Sequence, residues 1–442
     1  MRFIVFLLAV FMSMPALSLS VQAADIQEFT TPKGIKVWLV ESPSLPIISA
    51  QVSFAGGSAY DTVDKLGLAQ FSAGLLDEGA GDMDASAFAL AMEEKGIGLG
   101  AGVDTLNFKV NLKTLAEHKQ SAFDLLGLML TKPQLTKDSA ERVRAAQLSG
   151  IKRGQEKPDY VASRKLSELV FGNHPYARPS AGELWTVENL TARDARRFLN
   201  TTLTRNNMQV SVVGQTTPAD IAPLIDKALG DLPKGKARQA IPAPTEQAAA
   251  KMHIPRDVPQ STLRLGHLGN ERTDELYFPT LLMNHILGGG GFSSRLVEEV
   301  REKRGLSYSV YSYFSPLPGK GAFILGAQTE HENTEQVIDL MKAEMVKLQQ
   351  QEVDDKTYQD AMDYMLGSFP LRLDSNSKIL GYLDFMQTEN LGIDYLDNWQ
   401  ERMEAVTKAD IQAAAKKFLK PDDLKVIIVG QRKHQKQTSA KE

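Results

Sequence analysis

An internal duplication constrains the fold of this chain more than any other feature of its sequence. The tripeptide VGQ at residues 213–215 recurs at residues 429–431, an offset of 216. At that offset LTARDARRFLNTTL matches VTKADIQAAAKKFL without a gap, and each stretch places a Thr that can cap a helix three residues before an acid. Because solenoid repeats have periods of only ~20 to 50 residues, a repeat of this length predicts one domain present twice.

Further pairs of segments recur in the same order. SAQVSFAGGS corresponds to TLRLGHLGNE, and EEKGIGLGAGVDTLNFKV corresponds to REKRGLSYSVYSYF. Apolar runs such as 47–54 and 322–326 indicate strands, whereas amphipathic stretches such as 118–130 and 334–351 indicate helices. The order of these elements predicts an α+β fold, in which two homologous α/β sandwich domains each consist of a mostly antiparallel sheet covered by helices.

The N-terminus and the middle of the chain set the expected domain boundaries. Residues 1–23 begin with a basic Arg2, continue with an apolar run and end in VQA, which is typical of a cleaved secretory signal peptide. We therefore expect a periplasmic or secreted protein without a membrane anchor. Residues 232–251, rich in Ala, Pro and Lys, are expected to be an exposed linker between an N-terminal domain (24–231) and a C-terminal domain (252–442).

Composition excludes several classes of function. The chain contains no Cys, so it has neither a disulfide framework nor a thiolate metal site. Its net charge of -4 offers no basic surface for nucleic acid. No two of the seven histidines are four residues apart, so each is expected to be a surface or hydrogen-bonding residue rather than a zinc ligand. The glycines at 288–291 lack a Walker lysine and are expected to form a flexible turn, with Ser293 or Ser294 as a helix N-cap.

The segment 288–314 carries the most informative pair of polar residues. A helix over about 294–304 is expected to end at Gly305 in the left-handed conformation and to lead into a strand. Arg301 lies in the last turn of that helix and Tyr308 begins the strand, so both could donate hydrogen bonds to one carbonyl or oxyanion. From the residues alone an alternative stays open, with Arg301 as a charge near a helix C-terminus and Tyr308 as a half-buried strand residue.

Three motifs together resemble one known family. The run SSRLVEEVREKRGLSYSVYSYF closely resembles the C-terminal domain of the insulinase, pitrilysin and mitochondrial processing peptidase family, the inverted zincins. GLAQFSAGLLDEGAG stands where that family has its zinc helix, and GNHPYARPSAG looks like its G-x-H-P-Y-x-x-P-x-x-G loop. The resemblance extends over nearly all of the chain beyond the predicted signal peptide.

The resemblance implies that this chain has lost its zinc site. The family binds zinc through H-x-x-E-H on one helix and a Glu on a later helix. Gln70, Ala73 and Gly74 take the His, Glu and His positions here, and LSGI at 148–151 takes the place of the later ligand. An amide, a methyl group and a glycine cannot supply two zinc ligands and a general base. We therefore expect no metal or other cofactor in this chain, and no self-sufficient peptidase activity.

The resemblance also implies a role for the second half. The family supplies an Arg and a Tyr at this spacing that hydrogen-bond the substrate near the scissile bond, which assigns substrate and transition-state binding to Arg301 and Tyr308. Some members divide the zinc motif and the Arg-Tyr pair between two chains. This sequence resembles the metal-free subunit of such an exported heterodimeric peptidase, with zinc in the homologous partner and peptides as substrates. The alternative is a catalytically inactive homologue that binds peptide or acts as a scaffold.

Overall fold

The computed structural model describes residues 25–431, so the predicted signal peptide and His434 lie outside the described residues. The strands are β1 (Ile26–Thr30), β2 (Lys36–Glu41), β3 (Ile47–Ala55), β4 (Gly79–Ala80), β5 (Met83–Asp84), β6 (Gly98–Val103), β7 (Asn107–Leu115), β8 (Met208–Gly214), β9 (Ala250–Pro255), β10 (Ser261–Leu268), β11 (Ser307–Ser315), β12 (Ala322–Thr329) and β13 (Lys425–Gly430).

Helices cover these strands. They are α1 (Leu68–Gly74), α2 (Ala85–Glu93), α3 (Lys119–Thr131), α4 (Lys137–Glu156), α5 (Pro158–Phe171), α6 (Leu184–Val187), α7 (Ala192–Thr202), α8 (Pro218–Leu229), α9 (Tyr277–Asn284), α10 (Thr334–Gln350), α11 (Asp355–Ser368), α12 (Asn376–Thr388), α13 (Trp399–Glu404) and α14 (Lys408–Phe418).

Five strands follow the same order in the two large sheets, and the first sheet has β1 as an additional edge strand. The first is β1-β2-β8-β3-β7-β6, and the second, taken from its opposite edge, is β9-β13-β10-β12-β11. Each contains one parallel pair, β2 with β8 or β9 with β13, and its other neighbours are antiparallel. The predicted α+β fold with two mostly antiparallel, helix-covered sheets is confirmed.

Local signals recur in the two halves as the repeat predicts. Thr191 and Thr407 each cap their helix, α7 and α14, in a reciprocal capping box with the Asp three residues later. Both threonines therefore satisfy backbone N–H groups that a helix leaves unpaired at its first turn. Gly96 and Gly305, which precede the edge strands β6 and β11, have φ angles of 60° and 62°. The left-handed conformation predicted for Gly305 is thus observed.

Each half covers the sheet of the other half with one helix. Helix α5 packs against β10 and β13 of the second sheet, and α12 packs against β8 and β3 of the first. Gln387 on α12 donates to the Ser211 hydroxyl at 2.7 Å and to the Val210 carbonyl at 3.1 Å. Trp38, Val40 and Val213 of the first sheet accordingly belong to the apolar core of the second half. This exchange fixes the two sheets relative to each other.

The segment between the halves has no regular secondary structure over residues 233–249. It is nevertheless held along its length, because the Arg205 N–H donates to the Pro233 carbonyl and His174 Nε2 donates to the Pro242 carbonyl. The predicted boundaries of the two domains stay a prediction, and β9 begins at Ala250, inside the expected linker. Within residues 25–431, no helix has both the length and the apolar composition needed to cross a membrane.

Candidate functional site

Helix α1 carries the first candidate site and is anchored at its N-terminus by a buried carboxylate. Asp61 accepts hydrogen bonds from the N–H groups of Gly67 at 2.8 Å and Ala69 at 3.1 Å. Arg178, from the GNHPYARPSAG loop, donates to the carbonyls of Ala59 and Asp61. Burial raises the pKa of Asp61 to about 7, although the backbone N–H groups act in the opposite direction. The N-terminus of α1 is therefore positioned by residues of the first half.

Packing closes the motif positions on α1. Ala73 is only 2% exposed, and Gln70 is partly buried. A Cβ atom added to Gly74 would lie 2.9 Å from Cγ1 of Val143 on α4. A histidine at position 74 would therefore have to displace the partly buried side chain of Val143 before it could approach a metal.

Helix α4 provides no replacement ligand at residues 148–151. Leu148 packs against the core of the first half and Ile151 is buried. The Ser149 hydroxyl accepts a hydrogen bond from Arg153 at 2.5 Å, and Gly150 has open space where a side chain would be. Across residues 25–431, no group of three or more His, Asp or Glu side chains is arranged to hold a metal ion.

Four of the histidines in the described part of the chain, His174, His253, His267 and His331, form hydrogen bonds within the fold, as expected for residues that are not metal ligands. His253 Nε2 donates to the Gly430 carbonyl and His331 Nε2 to the Val258 carbonyl, each at 3.0 Å. His174 and Tyr176 belong to the GNHPYARPSAG loop, and Tyr176 donates to the Pro318 carbonyl of the second half at 3.0 Å. The loop therefore connects α1, the linker and the second half.

The second candidate site begins at the four glycines, and two local expectations are corrected there. The helix predicted over 294–304 is present, but it is α-helical only at residues 295–296 and becomes a π-helix at Val297–Glu302; a second π-helical turn spans His285–Gly289. The hydroxyls of Ser293 and Ser294 donate to the carbonyls of Gly290 and Gly291. Neither hydroxyl accepts from a backbone N–H, so neither side chain caps the helix. Ser294 nevertheless takes the N-cap position, because its backbone is extended and its carbonyl accepts from the Glu298 N–H at 3.0 Å. The expected buried residues are buried, namely Leu296, Val297 and Val300.

Arg301 lies in the last turn of the π-helix and is held by two neighbours. Its guanidinium carbon is 4.7 Å from the ring centroid of Phe292, and its Nε is 3.3 Å from a carboxylate oxygen of Glu302. Phe292 is itself 75% exposed. The Gly305 N–H donates to the Arg301 carbonyl at 2.8 Å, which closes the helix directly after this residue. Arg301 is therefore held at the corner between helix and strand, with 35% of its side chain exposed.

Tyr308 is turned into solvent by a β-bulge. Ser307 pairs with Thr329 and Ser309 with Gln328, so Tyr308 is the extra residue of β11. The buried Ser307 hydroxyl donates to the Gln328 carbonyl at 2.7 Å and accepts from the Ser309 N–H at 3.2 Å, which holds the bulge. Tyr308 is 83% exposed, and the alternative of a half-buried strand residue is therefore wrong. Bulges commonly re-aim side chains next to active sites.

The corner offers two hydrogen-bond donors, and its nearest carboxylate, that of Glu302, is paired with Arg301. A guanidinium and a phenol can each donate to a carbonyl oxygen or to the oxyanion that forms from it. The nearby Glu299 is engaged elsewhere, because hydrogen bonds from Lys303 and Arg304 lower its pKa to about 2. The sequence did not indicate the roles of Phe292 and Ser307. The role of Ser307 depends on strand register, and stacking of Phe292 depends on the loop conformation.

Comparisons with known proteins agree with this arrangement. Residues 36–183 match the family model described as insulinase (peptidase family M16), and residues 189–365 match the model described as peptidase M16 inactive domain. The non-peptidase homolog YmxG of Helicobacter pylori is 27% identical over 441 residues, covering 98% of this chain and 99% of that protein. An uncharacterized zinc protease YmxG of Bacillus subtilis is 26% identical over 356 residues, covering 80% of this chain and 86% of that protein.

A solved structure gives the same result. The peptidase M16 inactive domain from Pseudomonas fluorescens is 31% identical in sequence and superposes with a TM-score of 0.88, covering 93% of this chain and 100% of that one. The superposition includes both halves of this chain. That structure is described as inactive, and the present chain lacks the zinc ligands. This chain belongs to the M16 family of insulinase-like peptidases, as a homologue that lacks the zinc-binding residues.

Proposed function

We propose that this protein is the metal-free subunit of an exported, two-chain zinc peptidase. It binds peptide and presents Arg301 and Tyr308 to the zinc site of a homologous partner. The partner binds the zinc and supplies the general base, which this chain lacks at positions 70, 73 and 74. Export rests on the signal-peptide pattern of residues 1–23.

The observation that carries this proposal is the outward orientation of Tyr308. Exposing 83% of an aromatic side chain to water is energetically unfavourable. The hydrogen bond from the buried Ser307 hydroxyl to the Gln328 carbonyl stabilises the bulge that exposes it. Arg301 precedes it across a single left-handed turn at Gly305. A scaffold protein gains nothing from two hydrogen-bond donors held at one solvent-facing corner, whereas a neighbouring catalytic site can use them.

Strand β6 supports the peptide-binding part of the proposal. It forms one edge of the first sheet, where its outer backbone groups are free to pair with an added strand. One face of β6 consists of the glycines Gly98, Gly100 and Gly102, so no side chain of this strand covers that face. The intervening residues pack against the core of the first half. A peptide can therefore approach this edge closely.

A second candidate function is favoured by the packing of α1. Val143 fills the space beside Gly74, so the motif positions of the first half pack within this chain alone. In that case the protein binds peptide, or organises an assembly, without hydrolysis. The two candidates differ in one measurable property, which is activity gained in the presence of an M16 chain that has an intact H-x-x-E-H motif.

The test is co-expression with an H-x-x-E-H homologue from the same genome, purification of the complex, and measurement of peptide hydrolysis. Tyr308→Phe is expected to lower kcat on the order of 100-fold, because one oxyanion donor is lost. Zinc content of the complex is expected to stay unchanged. Tyr160→Phe is the matched control, since it removes one phenol from α5 and leaves β11 intact.

Two results would contradict the proposal. If the two chains neither associate nor gain activity together, the heterodimer is wrong and the inactive peptide-binding function is favoured. If the complex is active but Tyr308→Phe and Tyr160→Phe behave alike, the pairing holds and the role assigned to Tyr308 is wrong. Stoichiometric zinc in this chain alone would overturn the assignment of α1.

A further inference from the structure

The second half contains a cavity that neither candidate site uses. It is an open cavity of about 590 Å³ between α9, α12 and α13, beside the turn at residues 370–372. Tyr382, Phe385 and Trp399 form much of its apolar wall. This volume lies within the range of ~300 to 1,000 Å³ that is typical of small-molecule sites.

The charges that line the cavity all have one sign. Arg272, Arg372 and Lys378 line it, and no Asp or Glu does. Lys378 forms an ion pair with Asp374 at 2.8 Å. Arg372 has no carboxylate within 4.0 Å in the described part of the chain. An apolar cavity with an unpaired arginine favours an anion over a neutral or cationic ligand.

Arg272 is held rigidly inside the cavity wall. Its guanidinium carbon is 4.4 Å from the ring centroid of Phe385, and its Nη1 donates to the Tyr277 hydroxyl at 2.7 Å. The nearest carboxylate oxygen, on Glu389, is 3.8 Å from its Nε, and that buried Nε has no hydrogen-bond partner among residues 25–431. Glu389 therefore balances the charge of Arg272 only loosely, across 3.8 Å, and Arg272 adds to the positive charge of the wall.

We infer that this cavity binds a carboxylate that is attached to an aromatic or branched apolar group. The apolar group lies among Tyr382, Phe385 and Trp399, and the carboxylate faces Arg372 and Arg272. Two sources provide this chemistry, namely the C-terminal residue of a peptide and a free aromatic acid. The inference is independent of the proposed function, because none of the lining residues is Arg301 or Tyr308 and no partner chain is required.

Isothermal titration of the purified chain with matched acid and amide probes tests this site. The first pair is 3-phenylpropionate and its amide, and the second is an N-acetylated tetrapeptide ending in phenylalanine, with a free or an amidated C-terminus. We expect the acids to bind at least about tenfold more tightly than the amides, because only an acid forms the charge-assisted hydrogen bonds. Binding of the peptide acid alone identifies a peptide terminus as the source, and binding of both acids identifies a site for free acids.

Variants separate the cavity from the rest of the surface. Arg372→Gln is expected to weaken acid binding about tenfold and to leave the thermal midpoint unchanged, since Arg372 has no ion-pair partner among residues 25–431. Arg402→Gln is the matched control, because Arg402 also lies near an aromatic ring, that of Phe278 at 6.0 Å, and does not line this cavity.

Equal affinity for acid and amide, or the same effect of Arg372→Gln and Arg402→Gln, would overturn the inference. Absence of measurable binding for all four probes at millimolar concentration would also overturn it. None of these results bears on the Arg301 and Tyr308 corner, whose test is hydrolysis by the complex.

Discussion

The edge strands β6 and β11 take the same end position in two equivalent sheets, yet they expose different chemistry. Alignment on the left-handed Gly96 and Gly305 places Leu99 opposite Tyr308. In β6 the register with β7 is continuous and Leu99 packs against the core. In β11 the register shifts by one residue and Tyr308 leaves the sheet surface.

This difference shows that the duplicated fold supplies equivalent positions and that local backbone geometry decides how each is used. In the first half, side chains without metal-binding groups fill the space around α1. In the second half, a bulge and a buried Ser307 keep an aromatic donor in solvent. Loss of function in one half therefore does not imply loss in the other, because each site is stabilised by its own contacts.

The largest difference we expect between the halves concerns acid stability. Phe54 and His267 take equivalent places in the repeat, and each pairs across its sheet with a phenylalanine, Phe108 or Phe323. His267 is fully buried, donating from Nδ1 to the Leu268 carbonyl and accepting at Nε2 from the Lys420 N–H. Burial is the main cause that lowers its pKa to about 4.

In the unfolded chain His267 is therefore protonated as the pH falls below about 6.5, whereas in the folded chain it is protonated only near pH 4. Stability is expected to fall as the pH decreases through this window, by about 3 kcal/mol in total. Denaturant unfolding of the parent and of His267→Gln at pH 4, 5, 6 and 7 measures this effect. The variant is expected to be less stable at pH 7, with a gap that narrows toward pH 4. A gap that is constant with pH would show that His267 does not titrate as described.

The next effect sharpens the description of the first half as closed. Gly74→His is expected to reduce the free energy of unfolding by about 2 kcal/mol, since insertion into packed surroundings costs ~1 to 3 kcal/mol. Gly150→His is the matched control, because Gly150 lies on the neighbouring helix with open space around it. Urea unfolding of both variants compares them. Equal stability of the two would mean that Val143 gives way easily and that α1 is not closed by packing.

Regular elements were the part of this structure that the sequence predicted well. The strand predicted at 47–54 is β3, and the helix predicted at 334–351 is α10. In both, apolar periodicity and the final packing require the same residues to be buried, so the local pattern carries the information. The threonine caps succeeded for a similar reason, because a capping box is closed within four residues.

Features that depend on long-range contacts were not predictable. The π-helical turns replace an α-helix without a change in which residues are buried, so the apolar pattern could not distinguish them. The exposure of Tyr308 depends on the register between β11 and β12, which the sequence of β11 alone does not determine. The sequence also could not predict that α5 and α12 each pack against the sheet of the other half. An amphipathic pattern shows that one face of a helix is buried, but not which sheet buries it.

A smaller effect tests whether the bulge causes the difference between the edge strands. Ser307→Ala removes the hydroxyl that joins the Gln328 carbonyl and the Ser309 N–H, and is expected to cost about 1 to 2 kcal/mol of stability. If the bulge positions Tyr308, hydrolysis by the complex falls as well. Ser309→Ala is the control, because this neighbouring serine is exposed. Lost stability with full activity would mean that Tyr308 reaches its position without the hydroxyl of Ser307.

The smallest effect concerns the ring beneath Arg301. Phe292 is exposed, so Phe292→Leu is expected to cost no more stability than the contact with the guanidinium supplies, ~0.5 to 1 kcal/mol at an exposed site. In the complex this corresponds to a fall in kcat/KM of about two- to fivefold. Phe292→Tyr keeps a ring and is expected to behave as the parent. A loss with Phe292→Leu as large as that with Tyr308→Phe would show that Phe292 contacts the peptide itself, because orientation of one exposed arginine cannot supply so large an effect.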